Sequence, residues 1–387
     1  MRVLLHTGKG GVGKTTLALA TALGAASHGH RVCVLSTDPA HSLADALGEP
    51  VGPRMRAIAE NVWAREIRAQ TDLDRSWESI QSWLRELLRE EADELLTEEL
   101  LAFPGIEELM ALRAVREVAA TGDFDVCVVD CAPTGSTMRM LRFPDALRIF
   151  MTHFFEFERK GARLLRPFLR GLDAGRLLPR EEFFDAFERL YEEVDDVQRI
   201  LLDGDRTSAR LVVNPTRVVV DETRRSFAYL SLYGVATDAV LVNRVMPEEA
   251  SGGYFSRWIE REREEMKRIE ESFPVPIRKV ALRSAEVIGV PALEALARDV
   301  YGDEDPAAML STGRPIRIRR AGGRTRLEID LPGISKEEID VLLKGADLHL
   351  RVRDGRRSIG LPDSLVGRAI ERVRLRDSML EITFSDG

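Results

Sequence analysis

Residues 2–15 read RVLLHTGKGGVGKT, and this stretch decides the fold. Its first half, RVLLH, is a short apolar run of the kind needed by a parallel strand buried on both faces. Its second half, GKGGVGKT at 8–15, matches G-x-x-x-x-G-K-[ST] in full, and the Ala- and Leu-rich residues from Thr15 to Ser27 follow as a helix. Gly8, Gly10, Gly11 and Gly13 let the backbone curl so that its N–H groups converge on phosphate oxygens. Val12 and Thr16 complete the binding segment, and the helix N-terminus adds the positive end of its dipole. Lys14 is expected to reach the β- and γ-phosphates and Thr15 to ligate Mg²⁺, so ATP and Mg²⁺ are the expected ligands. The plainer alternative, a glycine turn that only joins strand to helix, does not call for Lys14 and Thr15. A second lysine directly after the first glycine, Lys9, marks the deviant form of this loop.

Further apolar runs follow at 31–36 (RVCVLS), 125–130 (DVCVVD), 210–213 (RLVV) and 238–243 (DAVLVN), with a sixth near 273–280. Strands alternating with helical stretches predict an α/β fold, a doubly wound and mostly parallel sheet of the P-loop NTPase type. Two Leu-, Phe- and Glu-rich segments, 71–121 and 144–206, do not fit that sheet and predict a helical subdomain within residues 1–302. Residues 303–313 read as a linker. Beyond it, TRLEIDL, IDVLLK, ADLHLRV, AIERVRL and MLEITF alternate apolar with polar residues, which predicts a small all-β sandwich over 314–387.

Composition removes several classes of function. Of 387 residues 44% are hydrophobic and 31% charged, so a mostly disordered chain is excluded. Three cysteines cannot staple a chain of this size. The net charge of −8 argues against a nucleic-acid partner. The charge is uneven: acidic residues outnumber basic ones 52 to 40 over residues 1–313, whereas basic ones lead 16 to 12 from Arg314 onward. No run approaches the roughly 18 apolar residues of a membrane-spanning helix, and the opening MRVLLHTG is too short for a signal sequence. A cytoplasmic protein with no integral membrane segment is expected.

Two more stretches join the deviant loop, TDPAHSL at 37–43 and DCAPTGSTMRML at 130–141. Together the three resemble the arsenite-pump ATPase family, which includes the ATPases that target tail-anchored membrane proteins. That family's first switch reads DPAHN/S and its second D-T-A-P-T-G-H-T-L-R. The resemblance extends through PGIEELMALRAV (104–115), VLVNRV (241–246) and VALRSAEVIGVPALEAL (280–296). It implies an ATPase in which Lys9 acts catalytically on a nucleotide held by a facing subunit, in the manner of an arginine finger, beside Lys14. It implies that Asp38 positions the attacking water, that Asp130 stands near the magnesium and its waters, and that Asn243 reads the adenine edge. The loop 281–285 would pack on adenine. Position alone supports the two carboxylates, since each ends a predicted strand beside the loop, where doubly wound sheets bind ligands. A turn aspartate before Pro39 and a simple metal aspartate are the alternatives for Asp38 and Asp130.

The departures from the pattern matter as well. Ser136 replaces the histidine usual after PTG. No Cys-x-x-Cys pair is present, so no zinc is expected; Cys33, Cys127 and Cys131 fall on predicted strands, as small buried hydrophobes would. A single phosphate loop, where the pump ATPase has two, implies a homodimer. Met138, Met140, Phe150, Met151, Phe154 and Phe155 crowd one region that suits either a groove for a hydrophobic protein or membrane-segment client or plain core packing. The stretch 328–352, EIDLPGISKEEIDVLLKGADLHLRV, with LEITF at 380–384, resembles the α-crystallin domain of small heat-shock proteins. Its loop at 353–360 reads as too short for that family's dimerising strand. The functions left standing are an ATP-hydrolysing homodimeric switch for a hydrophobic client, a nucleotide-regulated chaperone-like module with little turnover, and a partitioning or positioning ATPase. The last expects a basic surface or an amphipathic C-terminal helix, whereas here the C-terminus is β-patterned and residues 1–313 are acidic.

Overall fold

The computed structural model describes residues 1–38, 42–67, 106–132, 134–135, 137–139, 141, 181–251, 253–321, 324–362 and 364–385. Strand β1 (Arg2–Thr7) passes through the glycine loop into α1 (Lys14–Ser27), followed by β2 (Val32–Ser36), α2 (Ser42–Leu47), β3 (Arg56–Ala59) and β4 (Val62–Glu66). Next come α3 (Ile106–Thr121), β5 (Val126–Asp130), α4 (Glu181–Leu202), β6 (Thr207–Val213) and α5 (Arg217–Tyr233). The α/β unit ends with β7 (Thr237–Val245), α6 (Ser256–Ser272), β8 (Ile277–Ala281) and α7 (Val290–Tyr301). Eight strands form one sheet in the order β3-β4-β2-β5-β1-β6-β7-β8, parallel except at the β3–β4 edge. The chain moves outward from β1 to β2 and β4, returns to insert β5, then continues on the other side with β6. That reversal beside β1 opens a crevice at the carboxyl ends of the strands.

Residues on alternate faces of β1 serve two cores. Leu4 packs with Ala18 and Ala22 of α1, whereas Val3 and Leu5 share a cluster with Val115 of α3, Val197 of α4 and Phe227 of α5. The two long helical segments expected to form a subdomain reach this core as well. In their described parts, Ala114, Val115 and Val118 of α3 and Val194, Val197 and Leu201 of α4 recur at helical spacing and are buried in the sheet's own core. Met138 and Leu141 are buried in the same cluster. Met140, Phe150, Met151, Phe154 and Phe155 lie outside the described residues, as does Ser136. Among the described residues, no helix is long and apolar enough to cross a membrane.

The stretch expected to be a linker is strapped to the sheet. Arg210, wholly buried in β6, donates from Nη2 to the Pro306 carbonyl at 2.7 Å and from Nη1 to Tyr301 Oη at 3.1 Å, and it pairs with Asp238 at 3.2 Å. Arg2 donates to the Ala307 carbonyl at 3.1 Å and pairs with the same Asp238 at 3.0 Å. One wholly buried and one partly exposed guanidinium group thus satisfy one carboxylate and the strap's carbonyls together.

Beyond the strap lie β9 (Ile316–Ala321), β10 (Arg324–Asp330), β11 (Ile339–Lys344), β12 (Asp347–Val352), β13 (Gly355–Gly360), β14 (Ile370–Arg376) and β15 (Met379–Phe384). They form antiparallel sheets in the orders β14-β15-β10-β9 and β11-β12-β13. Alternation holds as expected: Leu348, Leu350 and Val352 of β12 turn inward, as do Leu380, Ile382 and Phe384. Residues 355–360, read as loop from sequence, form a strand paired with β12 along its whole length. The β unit rests on α5, where Gly355 lies against the Tyr229 ring and Gly333 against Arg224.

Candidate active site

The glycine loop is shaped by what it touches. A methyl group on Gly8 would overlap the Val212 carbonyl oxygen at the end of β6, so only glycine permits that approach. Gly13, at φ +95°, takes the left-handed conformation that starts α1, and a methyl there would overlap the Asn243 amide. Asn243 braces the loop: its Nδ2 donates to the Val12 carbonyl at 2.8 Å, and its Oδ1 accepts from the Arg244 N–H at 2.9 Å. Gly10 and Gly11 are exposed at the crest, and Thr16 is half-buried in the first turn of α1. Lys14 is buried, and its Nζ donates to the Lys9 carbonyl at 3.4 Å across the loop. The Lys9 ammonium points outward and pairs with Glu222 of α5 at 3.2 Å.

Below the loop, β1, β2 and β5 end level with one another, pairing His6 and Ser36 with Asp130. The Asp130 carboxylate accepts from Thr15 Oγ1 at 2.8 Å and Ser36 Oγ at 3.2 Å. Burial pushes its carboxyl up to about 6, against the opposing pull of the Thr15 hydrogen bond and the Lys14 charge, with Asp38 nearby adding to the rise. Asp38 follows directly, its N–H donating to Ser36 Oγ at 3.2 Å. Thr37 ties the two strand ends, donating its N–H to the Asp130 carbonyl at 2.9 Å and accepting from the Ala132 N–H at 3.0 Å. The structure therefore gathers Gly8–Thr15, Asp38, Asp130 and Asn243 at the switch-point crevice. Leu282, in the loop 281–285, bonds to the end of β7 through its N–H to the Val245 carbonyl at 2.8 Å.

A family model described as an anion-transporting ATPase matches residues 1–302, and one described as an HSP20-like domain found in ArsA matches residues 322–384. The chain belongs to the anion-transporting ATPase family. It is 36% identical over 402 residues to the putative arsenical pump-driving ATPase 1 of Aquifex aeolicus, covering 100% of each chain. It is 35% identical over 388 residues to a putative arsenical pump-driving ATPase of Prosthecochloris vibrioformis, covering 99% of this chain and 96% of that one. An ATPase get3 from Pyrenophora tritici-repentis is 29% identical over 260 residues, 64% of this chain and 74% of its own. As a member of the family, the chain is an ATPase, and the glycine loop lies within the matched residues. The second match falls on the antiparallel sheets of the β unit.

The thiols of this anion-transporting ATPase homologue are all in the core. Cys33 and Cys127 face each other across β2 and β5, and Cys131 follows β5, all buried. A hydrogen bond with Cys33, together with burial, raises the Cys127 thiol well above its ordinary value, and burial pushes Cys131 up to about 12. Thiols so raised are poor ligands, since the thiolate is the binding form. Among the described residues, no group of three or more His, Cys, Asp or Glu side chains could hold a metal ion.

Ser36, Thr37 and Glu222 join the site without having been expected from the sequence. The first two immediately precede Asp38 at the end of an apolar strand, so a hydroxyl pair in that position was an available signal. Glu222 had none, because its place beside Lys9 depends on how β6 and α5 fold back onto the loop.

Proposed function

We propose that the chain is a cytoplasmic, ATP-hydrolysing homodimeric switch that opens and closes an apolar groove for a hydrophobic protein or membrane-segment client. The observation that carries this reading is the hydrogen bond from Thr15 to Asp130, which couples the phosphate loop to the strand end from which the second switch segment departs. A change of ligand at Thr15 is thereby felt at Asp130, Ser36 and Asp38 together. Lys14 and the loop N–H groups would hold the triphosphate, with Asn243 and the loop 281–285 toward the adenine. Asp38 would position the attacking water.

The residues present suit Mg²⁺. One hydroxyl, Thr15, and one buried carboxylate, Asp130, make a sparse oxygen set, which leaves room for the waters and phosphate oxygens that Mg²⁺ favours. Thr15 would ligate it directly and Asp130 through water; bound there, it would neutralise charge on the phosphates. Lys9 would reach the triphosphate of a second copy and supply positive charge from outside that copy's loop. Relatives are named for an arsenical pump, but the burial of Cys33, Cys127 and Cys131 gives no support to metalloid stimulation of this chain.

Steady-state ATP turnover tests the enzymatic core of the reading. Asp38→Asn is expected to retain ATP binding and lose turnover by about 10²-fold or more, as expected when a water-activating group is removed. Equal turnover in the variant and wild type would leave Asp38 as a turn residue and favour a nucleotide-regulated binding module.

A further inference from the structure

The lysine that the proposed function sends to a neighbouring triphosphate is engaged by a carboxylate of its own chain. Lys9 Nζ and Glu222 Oε2 stand 3.2 Å apart, with side chains 36% and 26% exposed. An isolated pair of this kind contributes little. Glu222, however, is carried by a helix fixed on several sides. Val220, Phe227 and Leu230 of α5 sit in the sheet's core, and Asp221 accepts from Arg268 Nη2 of α6 at 2.6 Å. Tyr229 Oη donates to Asp354 of the β unit, and its ring lies under Gly355. Glu222 and Tyr229 are seven residues apart, two turns along one stripe of the helix and about 10 Å in rise. The β unit and the Lys9 contact therefore share one face of α5, and the backbone from which Glu222 reaches Lys9 is fixed by the helix's other contacts.

We infer that Glu222 is a positioning residue that parks Lys9 on its own subunit. Lys9 leaves when a second copy presents ATP, because the triphosphate offers several anionic oxygens against one carboxylate. The pair thus sets a threshold for assembly rather than a block, and it rests on the reading of Lys9 as a residue that acts between copies. No change in the loop itself is required, since Lys9 projects from it and only its side chain must swing.

The test uses the full chain as wild type, Glu222→Gln, Glu222→Asp, Lys9→Ala and the Lys9→Ala/Glu222→Gln double variant. ATP turnover is read across a series of protein concentrations, and acylation of Lys9 by an amine-reactive ester is followed without nucleotide by peptide mass spectrometry. Glu222→Gln is expected to lower the protein concentration for half-maximal turnover about two- to five-fold, the range open to a partly exposed ion pair. It should also speed Lys9 labelling, while Glu222→Asp stays near wild type. In the Lys9→Ala background, Glu222→Gln should change nothing. Wild-type turnover and labelling in Glu222→Gln, or the same gain with Lys9 absent, overturns the inference and leaves the reading of Lys9 intact. Wild-type turnover in Lys9→Ala alone is the separate failure of that reading.

Discussion

Asp130 is buried at the end of β5, accepts hydrogen bonds from Thr15 and Ser36, and has its carboxyl pushed up to about 6 by that burial. The sign of its contribution to stability follows from linkage. Between its unfolded value of 3.8 and about 6 the folded state holds a proton that the unfolded state has lost. The nucleotide-free fold therefore loses stability from this group as pH rises through that window. Asp130→Asn removes the titration and keeps an acceptor for Thr15. Urea unfolding without nucleotide should show the variant gaining on wild type between pH 4 and 6, by on the order of 3 kcal/mol at the upper end. A gap that does not change with pH would contradict the buried-carboxylate account. The glycine loop, Lys14, Thr15 and the two carboxylates were legible in the sequence because their spacing is local to one strand–loop–helix unit and two strand ends. The hold of Asn243 on Val12 was not, since it joins residues 231 positions apart.

At the scale of elements, the central strands were legible from their apolar runs, and the strand at 355–360 was not. Its sequence, GRRSIG, offers no apolar alternation, and its place comes from main-chain pairing with β12. The β4 strand escaped for a related reason: it ends in buried Glu66, whose Oε1 accepts the Ala44 N–H in the first turn of α2, so a charged residue sits where an apolar one is expected. The strap at 305–310 looked like a linker because its anchors, Arg2 and Arg210, are 305 and 96 residues away. Arg210→Leu leaves the Pro306 carbonyl without its donor and removes one of two cations from buried Asp238. Unfolding of the full chain in urea should show a loss of about 3–5 kcal/mol. A loss under 1 kcal/mol would show that the strap is held by other contacts.

The whole molecule joins an acidic α/β unit to a basic β unit through a helix that both of them use. One face of α5 completes the sheet's core, and another carries the β unit against Gly355 and Gly333. A methyl on Gly355 would come within 2.8 Å of the Tyr229 ring, whereas one on Gly204 meets nothing within 4 Å. Gly355→Ala should therefore destabilise the full chain by about 1–3 kcal/mol through overpacking, with Gly204→Ala as the near-neutral control. Equal midpoints for the two variants would mean that the β unit is not seated on α5.

The claim on which the functional account turns is that ATP joins two copies, each lending Lys9 to the other. Molar mass in solution, measured by light scattering with a non-hydrolysable ATP analogue and magnesium, tests it directly. The account predicts twice the 43.4 kDa of the single chain for the wild type and a shift back toward 43.4 kDa for Lys9→Ala. A wild-type chain that binds the analogue and remains at 43.4 kDa would contradict it.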